Sequence, residues 1–299
     1  MNRKTFIKHT AFTAGGLLLA QQNIIAHLWQ QPAWKIKMLN DTTGIFTERG
    51  GTILFSFTSE GIVVVDSQFP DQSKHLIDEL KKQKEAPFKL LINTHHHGDH
   101  SSGNISFKGI TEHVLAHENS KANQIAAAQK AKTEDKQLYP DQTYTDTHRL
   151  KMGNEIICMY YFGAGHTNGD SFVHFENANI VHTGDLLFNR RHPFVDRSAG
   201  ANIKSWITVL EKAKKEFSKK TRFVFGHAAD GYEVTGSMED LKAFQNYLDK
   251  TLSLVDKEIK AGKTKEDILK ITSIPGAEEW KGDGIQRPLT AAYEELTAK

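Results

Sequence analysis

Four imidazoles and one carboxylate fall within six consecutive positions of Asn93-Thr94-His95-His96-His97-Gly98-Asp99-His100. Neutral imidazole ligates borderline divalent cations such as zinc, and a carboxylate adds charge compensation. In an extended segment residues i and i+2 share a side, which puts His95 and His97 together. Gly98 then lets the chain turn so that Asp99 and His100 address a second position. One loop can therefore feed two metals. The Gly-Asp-His continuation directly after an apolar run separates this pattern from an incidental stretch of histidines.

The run Phe88-Lys89-Leu90-Leu91-Ile92-Asn93 reads as a short buried strand, so the loop leaves the C-terminal end of a strand, where α/β proteins place their chemistry. Before it come short alternating or apolar segments over 34–39, 44–49, 52–58 and 61–65, separated by hairpin-type turns at Gly50-Gly51 and Ser59-Glu60-Gly61, and a helix over 71–84. After it the pattern predicts a strand at 114–116, a helix over 117–132, strands over 142–150, 155–162, 171–175 and 179–182, a helix over 203–217, a strand at 223–225 and a mostly helical remainder from Met238. Three of these strands end on a histidine or aspartate beside glycine: Gly163-Ala164-Gly165-His166-Thr167-Asn168-Gly169-Asp170, Val181-His182-Thr183-Gly184-Asp185 and Phe223-Val224-Phe225-Gly226-His227.

In this order, the histidine loop and the three later sites resemble the metallo-β-lactamase-fold hydrolases, from about Trp34 to Gly236. The resemblance implies an α+β fold, a four-layer αβ/βα sandwich with metals at its rim. It implies one metal on His95, His97 and His166, a second on Asp99, His100 and His227, and Asp185 bridging both. The residue count agrees: five imidazoles and two carboxylates suit two divalent ions that share a hydroxide. His96 is expected to face away, and His182 to serve as core or as support for a ligand. Zinc β-lactamases with a cysteine ligand carry the thiol where Asp185 stands. A bridging aspartate instead resembles the glyoxalase II, lactonase and phosphodiesterase branches, and so points away from a dedicated β-lactamase.

The expected activity is hydrolysis of an ester, lactone, thioester or amide by a hydroxide shared between two zinc ions; manganese and iron also suit histidine and carboxylate donors. Asp99 would orient that hydroxide and pass its proton to the leaving group. The loop from Leu186 to Arg197 would touch the small-molecule substrate, with Arg190 and Arg191 binding a carboxylate or phosphate and His192 stabilising an oxyanion. The alternative is a mononuclear iron dioxygenase acting on persulfides through His95, His166 and Asp185, which leaves Asp99, His100 and His227 without a joint purpose.

Composition excludes other classes. The sole cysteine, Cys158, lies in the strand-like Glu155–Tyr161 run and rules out an intrachain disulfide framework or a Cys-rich zinc site. Residues 1–26, with basic Arg3, Lys4 and Lys8 before a short Gly-containing apolar run, read as an export signal of twin-arginine type, or of the general secretory type given Lys4 at the second arginine position. Without it, 38 Lys+Arg against 36 Asp+Glu becomes 35 against 36, a net charge near −1 that calls for neither nucleic acid nor an anionic membrane. The expected division is a signal over 1–26, a catalytic domain over 34–236 and a helical extension over 237–299 packed on the core. The expected location is the periplasm.

Overall fold

Alternation along the strands dictates two sheets. In the computed structural model, which describes residues 33–298, the chain starts with β1 (Lys35–Met38), β2 (Thr43–Thr47), β3 (Ile53–Phe57) and β4 (Ile62–Val65). The export signal expected over 1–26 lies outside the described residues. Helix α1 (Pro70–Gln83) opens on proline at its first position and buries Leu76, Ile77 and Leu80 on one face. It leads to β5 (Phe88–Asn93), then to a four-residue helix α2 (Gly98–Ser101), β6 (Thr111–His117), α3 (Glu118–Ala131) and β7 (Gln142–Tyr144). These seven strands form one sheet in sequence order, antiparallel over β2 to β4 and parallel over β4 to β7.

The second sheet begins with β8 (Thr147–Met152), β9 (Glu155–Tyr160), β10 (Phe172–Phe175) and β11 (Ile180–His182). The chain continues through β12 (Phe188–Asn189), α4 (Ile203–Glu216), β13 (Arg222–Val224), β14 (His227–Ala228) and β15 (Thr235–Gly236). The second sheet has the order β15-β13-β11-β10-β9-β8, and β12 pairs with β14 apart from it. The single strand expected over 142–150 is in fact two. Tyr144 is buried between the sheets, the chain turns at Thr145-Asp146, and β8 begins in the other sheet. His117 fixes that turn through Nε2 to the Thr145 carbonyl at 2.8 Å, and Asp146 accepts from the Tyr161 N–H at 2.9 Å.

Period two sorts the side chains into layers. Val63, Val65, Leu90, Ile92 and Leu115 meet Ile157, Met159, Val173, Phe175, Ile180 and Val224 between the sheets. The alternate residues Phe172, Val181 and Phe223 point outward, onto α4 and the C-terminal helices α5 (Met238–Lys260), α6 (Lys265–Ile268) and α7 (Gln286–Thr297). With α1 and α3 on the first sheet, this is the four-layer α+β sandwich. Helix α5 starts on a capping box, Ser237 with Asp240, that fixes its entry point.

The segment after Gly236 shares the main core, because Trp206 on α4, Phe244 and Tyr247 on α5, Trp280 in the loop before α7 and Leu289 on α7 form one cluster. Tyr247 and Trp280 stack at 4.8 Å between ring centroids. Ile36 onward forms a single compact unit. Trp280 is 2 % exposed, so Trp280→Ala leaves a cavity in that shared core. A loss of about 3–5 kcal/mol in a single cooperative urea transition is expected. A separate early transition of the C-terminal helices would contradict their integration.

Candidate metal centre

Parallel pairing assembles the site. In the first sheet Val65 lies opposite Ile92, so Asp66 and the histidine loop leave the same rim. In the second sheet His182 lies opposite Val224 across a parallel pair, so Thr183-Gly184-Asp185 and Phe225-Gly226-His227 leave together. Gly226 joins the rims: its N–H donates to the Gly184 carbonyl at 2.8 Å, and its carbonyl accepts from the Thr52 N–H at 2.9 Å. A Cβ at Gly226 would collide with Asp185 Oδ1, and one at Gly51 with the His100 ring. Gly51, read from sequence as a turn residue, is therefore a wall of the site.

The seven expected ligands fall into two sets, in each of which the candidate ligand atoms lie within 4.8 Å of one another. In the first, His97 Nδ1 stands 3.2 Å from His95 Nε2 and 2.8 Å from His166 Nε2, and Asp185 Oδ2 stands 3.5 Å from His166 Nε2. In the second, Asp185 Oδ1 stands 3.1 Å from His100 Nε2 and 3.5 Å from His227 Nε2, with Asp99 Oδ2 3.1 Å from His227 Nε2. Asp185 thus turns one oxygen to each set.

Outer partners decide what these nitrogens carry. His97 Nε2 lies 2.8 Å from Asp196 Oδ2, and His166 Nδ1 lies 2.8 Å from the Phe194 carbonyl. Carboxylate and carbonyl oxygens only accept, so both protons sit on the outer nitrogens. The inner nitrogens, 2.8 Å apart, are two lone pairs facing each other. At His95 and His100 the outer nitrogen is likewise the donor. His100 Nδ1 donates to Asp66 Oδ2 at 2.7 Å, and His95 Nδ1 donates at 3.1 Å to Thr94 Oγ1, whose own proton goes to Asp66 Oδ2 at 2.8 Å. Asp185 Oδ1 is buried without a hydrogen-bond partner. Converging lone pairs and an orphaned buried carboxylate oxygen fit divalent cations and little else.

Electrostatics agree. Burial pushes His166 down to about 3 and His95 well below the usual imidazole range, so both are neutral. Burial opposes ionisation of Asp99, but its hydrogen bond with His227 outweighs it and brings the carboxyl to about 2. Asp185, despite burial, is held ionised by His227 and His100. Burial also opposes charge on His100, yet Asp185 and Asp66 raise its pKa well above the usual range. A metal competes with that proton for the same nitrogen.

The other histidines have structural partners. His182 donates through Nε2 to the Thr52 carbonyl at 2.8 Å and accepts the Gly184 N–H at 2.9 Å, which positions the turn into Asp185. His96 joins neither set; its Nε2 stands 3.7 Å from Asp196.

The sets open into a cleft of about 340 Å³ whose wall includes Phe188, Arg191, His192, Phe194 and Arg287. Two expectations separate here. Arg191 lines the cleft, whereas Arg190 does not. The left-handed backbone of Arg190 (φ 55°) turns its side chain to Asp240 Oδ1 at 2.9 Å and Asn189 Oδ1 at 3.0 Å, over the Trp280 ring at 5.1 Å. Its role is to tie the loop to the start of α5. His192 is buried, with Nδ1 2.8 Å from Tyr247 Oη and Nε2 without a partner.

Asp66, Tyr247 and Arg287 escape the sequence reading, and Asp196 enters it only as part of the loop from Leu186 to Arg197. Asp66 had one signal, an aspartate closing the wholly apolar β4. The other three meet the site only through tertiary contact.

The sequence profile of the metallo-beta-lactamase superfamily matches residues 48–249. Metallo-beta-lactamase IND-1 of Chryseobacterium indologenes is 26 % identical over 192 residues, 62 % of this chain and 76 % of that one. A "probable hydroxyacylglutathione hydrolase" of Schizosaccharomyces pombe is 30 % identical over 110 residues, covering 36 % of this chain and 37 % of that one. The solved metallo-beta-lactamase from Pontibacter korlensis superposes with a TM-score of 0.61 at 21 % identity, over 72 % of this chain and 99 % of that one.

Asp66→Asn removes the carboxylate behind His100 and keeps its size. The affinity of the Asp99-His100-His227 set for zinc should fall roughly 10–100-fold, read by competition with a chromophoric chelator, while the other set, whose His95 reaches Asp66 only through Thr94, should lose less. Unchanged binding at both sets would contradict the role given to Asp66.

Proposed function

The chain belongs to the metallo-beta-lactamase superfamily of metal-dependent hydrolases, and on that premise we propose that it holds two zinc ions and cleaves an ester, lactone, thioester or amide bond of a small molecule. Manganese and iron are further candidates for the same donors. His95, His97 and His166 would hold one ion, Asp99, His100 and His227 the other, with Asp185 shared. The observation that carries the reading is the orientation of Asp185, with Oδ2 toward the first set and Oδ1 toward the second. A mononuclear iron dioxygenase would use His95, His166 and Asp185 and leave the second convergent set idle. Cys158 is buried in β9 and supplies no thiolate to the centre, which supports a reading away from a dedicated β-lactamase.

Bound there, two divalent ions supply a water nucleophile at neutral pH and polarise the scissile carbonyl. The protein's own groups do the rest. Asp99 is ionised at neutral pH and half-exposed at the cleft, so it can orient the attacking water, accept its proton and pass it to the leaving group. His192 is kept neutral by burial. If the Tyr247 O–H donates to Nδ1, the His192 proton sits on Nε2, which is buried without a partner in a residue of the cleft wall and would serve as a donor for the oxyanion of the transition state. Arg191 supplies charge at the mouth.

Export to the periplasm belongs to the same proposal and rests on the basic, weakly apolar N-terminus. Among the described residues no helix is long and apolar enough to cross a membrane.

A panel of lactones, thioesters, aryl esters and β-lactams assayed with zinc-loaded protein tests the activity; oxygen uptake with a persulfide and no hydrolysis of the panel would overturn it. On the best substrate, His192→Ala should lower kcat by roughly 10²-fold. Tyr247→Phe, which frees the His192 tautomer, should lower kcat about tenfold with zinc content and KM unchanged. A Tyr247→Phe enzyme with full kcat would remove Tyr247 from the account.

A further inference from the structure

Helix α7 lies beyond the region matched by the family profile, which ends at residue 249. It nevertheless reaches the cleft. Ile285, Pro288, Leu289, Ala291 and Ala292 are buried, and docking that face leaves Arg287 exposed in the first turn. Arg287 lines the same cavity as His97, Asp99, Asp185 and His227.

Helix energetics do not explain an arginine there. A cation in the first turn faces the positive end of the helix dipole. Among the described residues the Arg287 side chain has no ion pair or hydrogen bond to offset that, in contrast to Arg190, held by Asp240, and Arg197, 3.7 Å from Glu295. Arg191, the other guanidinium on the cleft, is also exposed and unpaired among the described residues. Thus Arg190 and Arg197, which flank the cleft loop, are paired with carboxylates, and the two arginines that line the cleft are not.

A second cavity of about 400 Å³ adjoins the first, because Phe194 and Arg287 line both. Phe194 is 43 % exposed, and its backbone is fixed where its carbonyl takes the His166 Nδ1–H at 2.8 Å. Val195, Thr290 and Ala291 line the second cavity beside the charged Asp196, Arg197 and Glu294.

We propose that Arg287, together with Arg191, forms an oxyanion subsite of the cleft, so that the substrate is an anion whose carboxylate is held by these two side chains while an apolar arm lies over Phe194 into the adjoining cavity. The inference rests on the hydrolase reading for the scissile bond, but the subsite itself is a binding property of the protein. A planar guanidinium fork suits a carboxylate, and a sulfate or phosphate monoester would present the same oxygens. The C-terminal segment then selects substrates as well as completing the core.

The test separates subsite from chemistry. Phenylpropanoate and its neutral amide are titrated by calorimetry into zinc-loaded and metal-free full-length protein, wild type, Arg287→Ala and Arg287→Lys. Phenyl sulfate and phenyl phosphate serve as further arms to rank the oxyanions. Wild-type protein should prefer the carboxylate in both metal states. Arg287→Ala should lose about tenfold in affinity for the anion and none for the amide, with unchanged unfolding temperature, and Arg287→Lys should recover part of the loss. Equal effects on anion and amide, or no effect on either, would overturn the subsite. The para-nitrophenyl half-ester of glutarate and para-nitrophenyl pentanoate form the kinetic arm, in which Arg287→Ala should raise KM only for the half-ester. If the anion preference depends on Arg287 and neither ester is cleaved, the subsite stands and the ester-hydrolase reading fails.

Discussion

The rest of the molecule answers to the mutual repulsion of the inward-facing lone pairs. His97 Nδ1 and His166 Nε2 are 2.8 Å apart with their protons held on the far side of each ring. Asp185 adds an ionised carboxylate between them and the second set, with one buried oxygen unpartnered. Such a cluster costs folding free energy unless cations occupy it, and unless the surrounding chain prevents the rings from rotating away. Two devices supply the second condition. Asp66 accepts the His100 Nδ1–H, the Thr94 hydroxyl and the Thr94 N–H, at 2.7, 2.8 and 2.8 Å. Asp196 accepts from His97 at 2.8 Å and from the Ser198 hydroxyl at 2.5 Å. Each buried carboxylate is thereby satisfied and in turn fixes one ring.

The sheets supply the frame. Parallel pairing delivers Asp66 and the histidine loop at one rim, and Asp185 and Gly226-His227 at the other, so no single loop has to fold around the ions. The C-terminal segment adds a third component. Tyr247 reaches His192, Asp240 holds Arg190, and α7 carries Arg287 to the cleft. Trp280 and Tyr247, stacked together, couple these contacts to the main core.

Much of this was legible because metal chemistry uses few residue types at short spacings. His95, His97, Asp99 and His100 sit in one loop, and His166, Asp185 and His227 each follow a strand beside glycine, so type and position coincide in the sequence. The bend at Thr145-Asp146 was not legible, because Gln142–Leu150 has the composition of one strand and only the buried Tyr144 marks the crossing between sheets. Arg190 and Arg191 illustrate a further limit: neighbours of the same chemistry diverge because Arg190 adopts a left-handed backbone and finds Asp240, fifty residues away. The same applies to Asp196 and Arg287, whose roles depend on distant partners and on the docking of α7. Local pattern therefore picked out the residues that converge at the rim, while the groups that orient them and shape the cleft depended on tertiary structure.

The most direct test of a centre organised around Asp185 is the metal content of protein purified from its native compartment without added metal or chelator, by elemental analysis, for wild type and Asp185→Ala. The account predicts two zinc ions per wild-type chain and loss of both, or of the tighter binding of both, in the variant. One iron per chain, or two zinc ions held as tightly without Asp185, would contradict it.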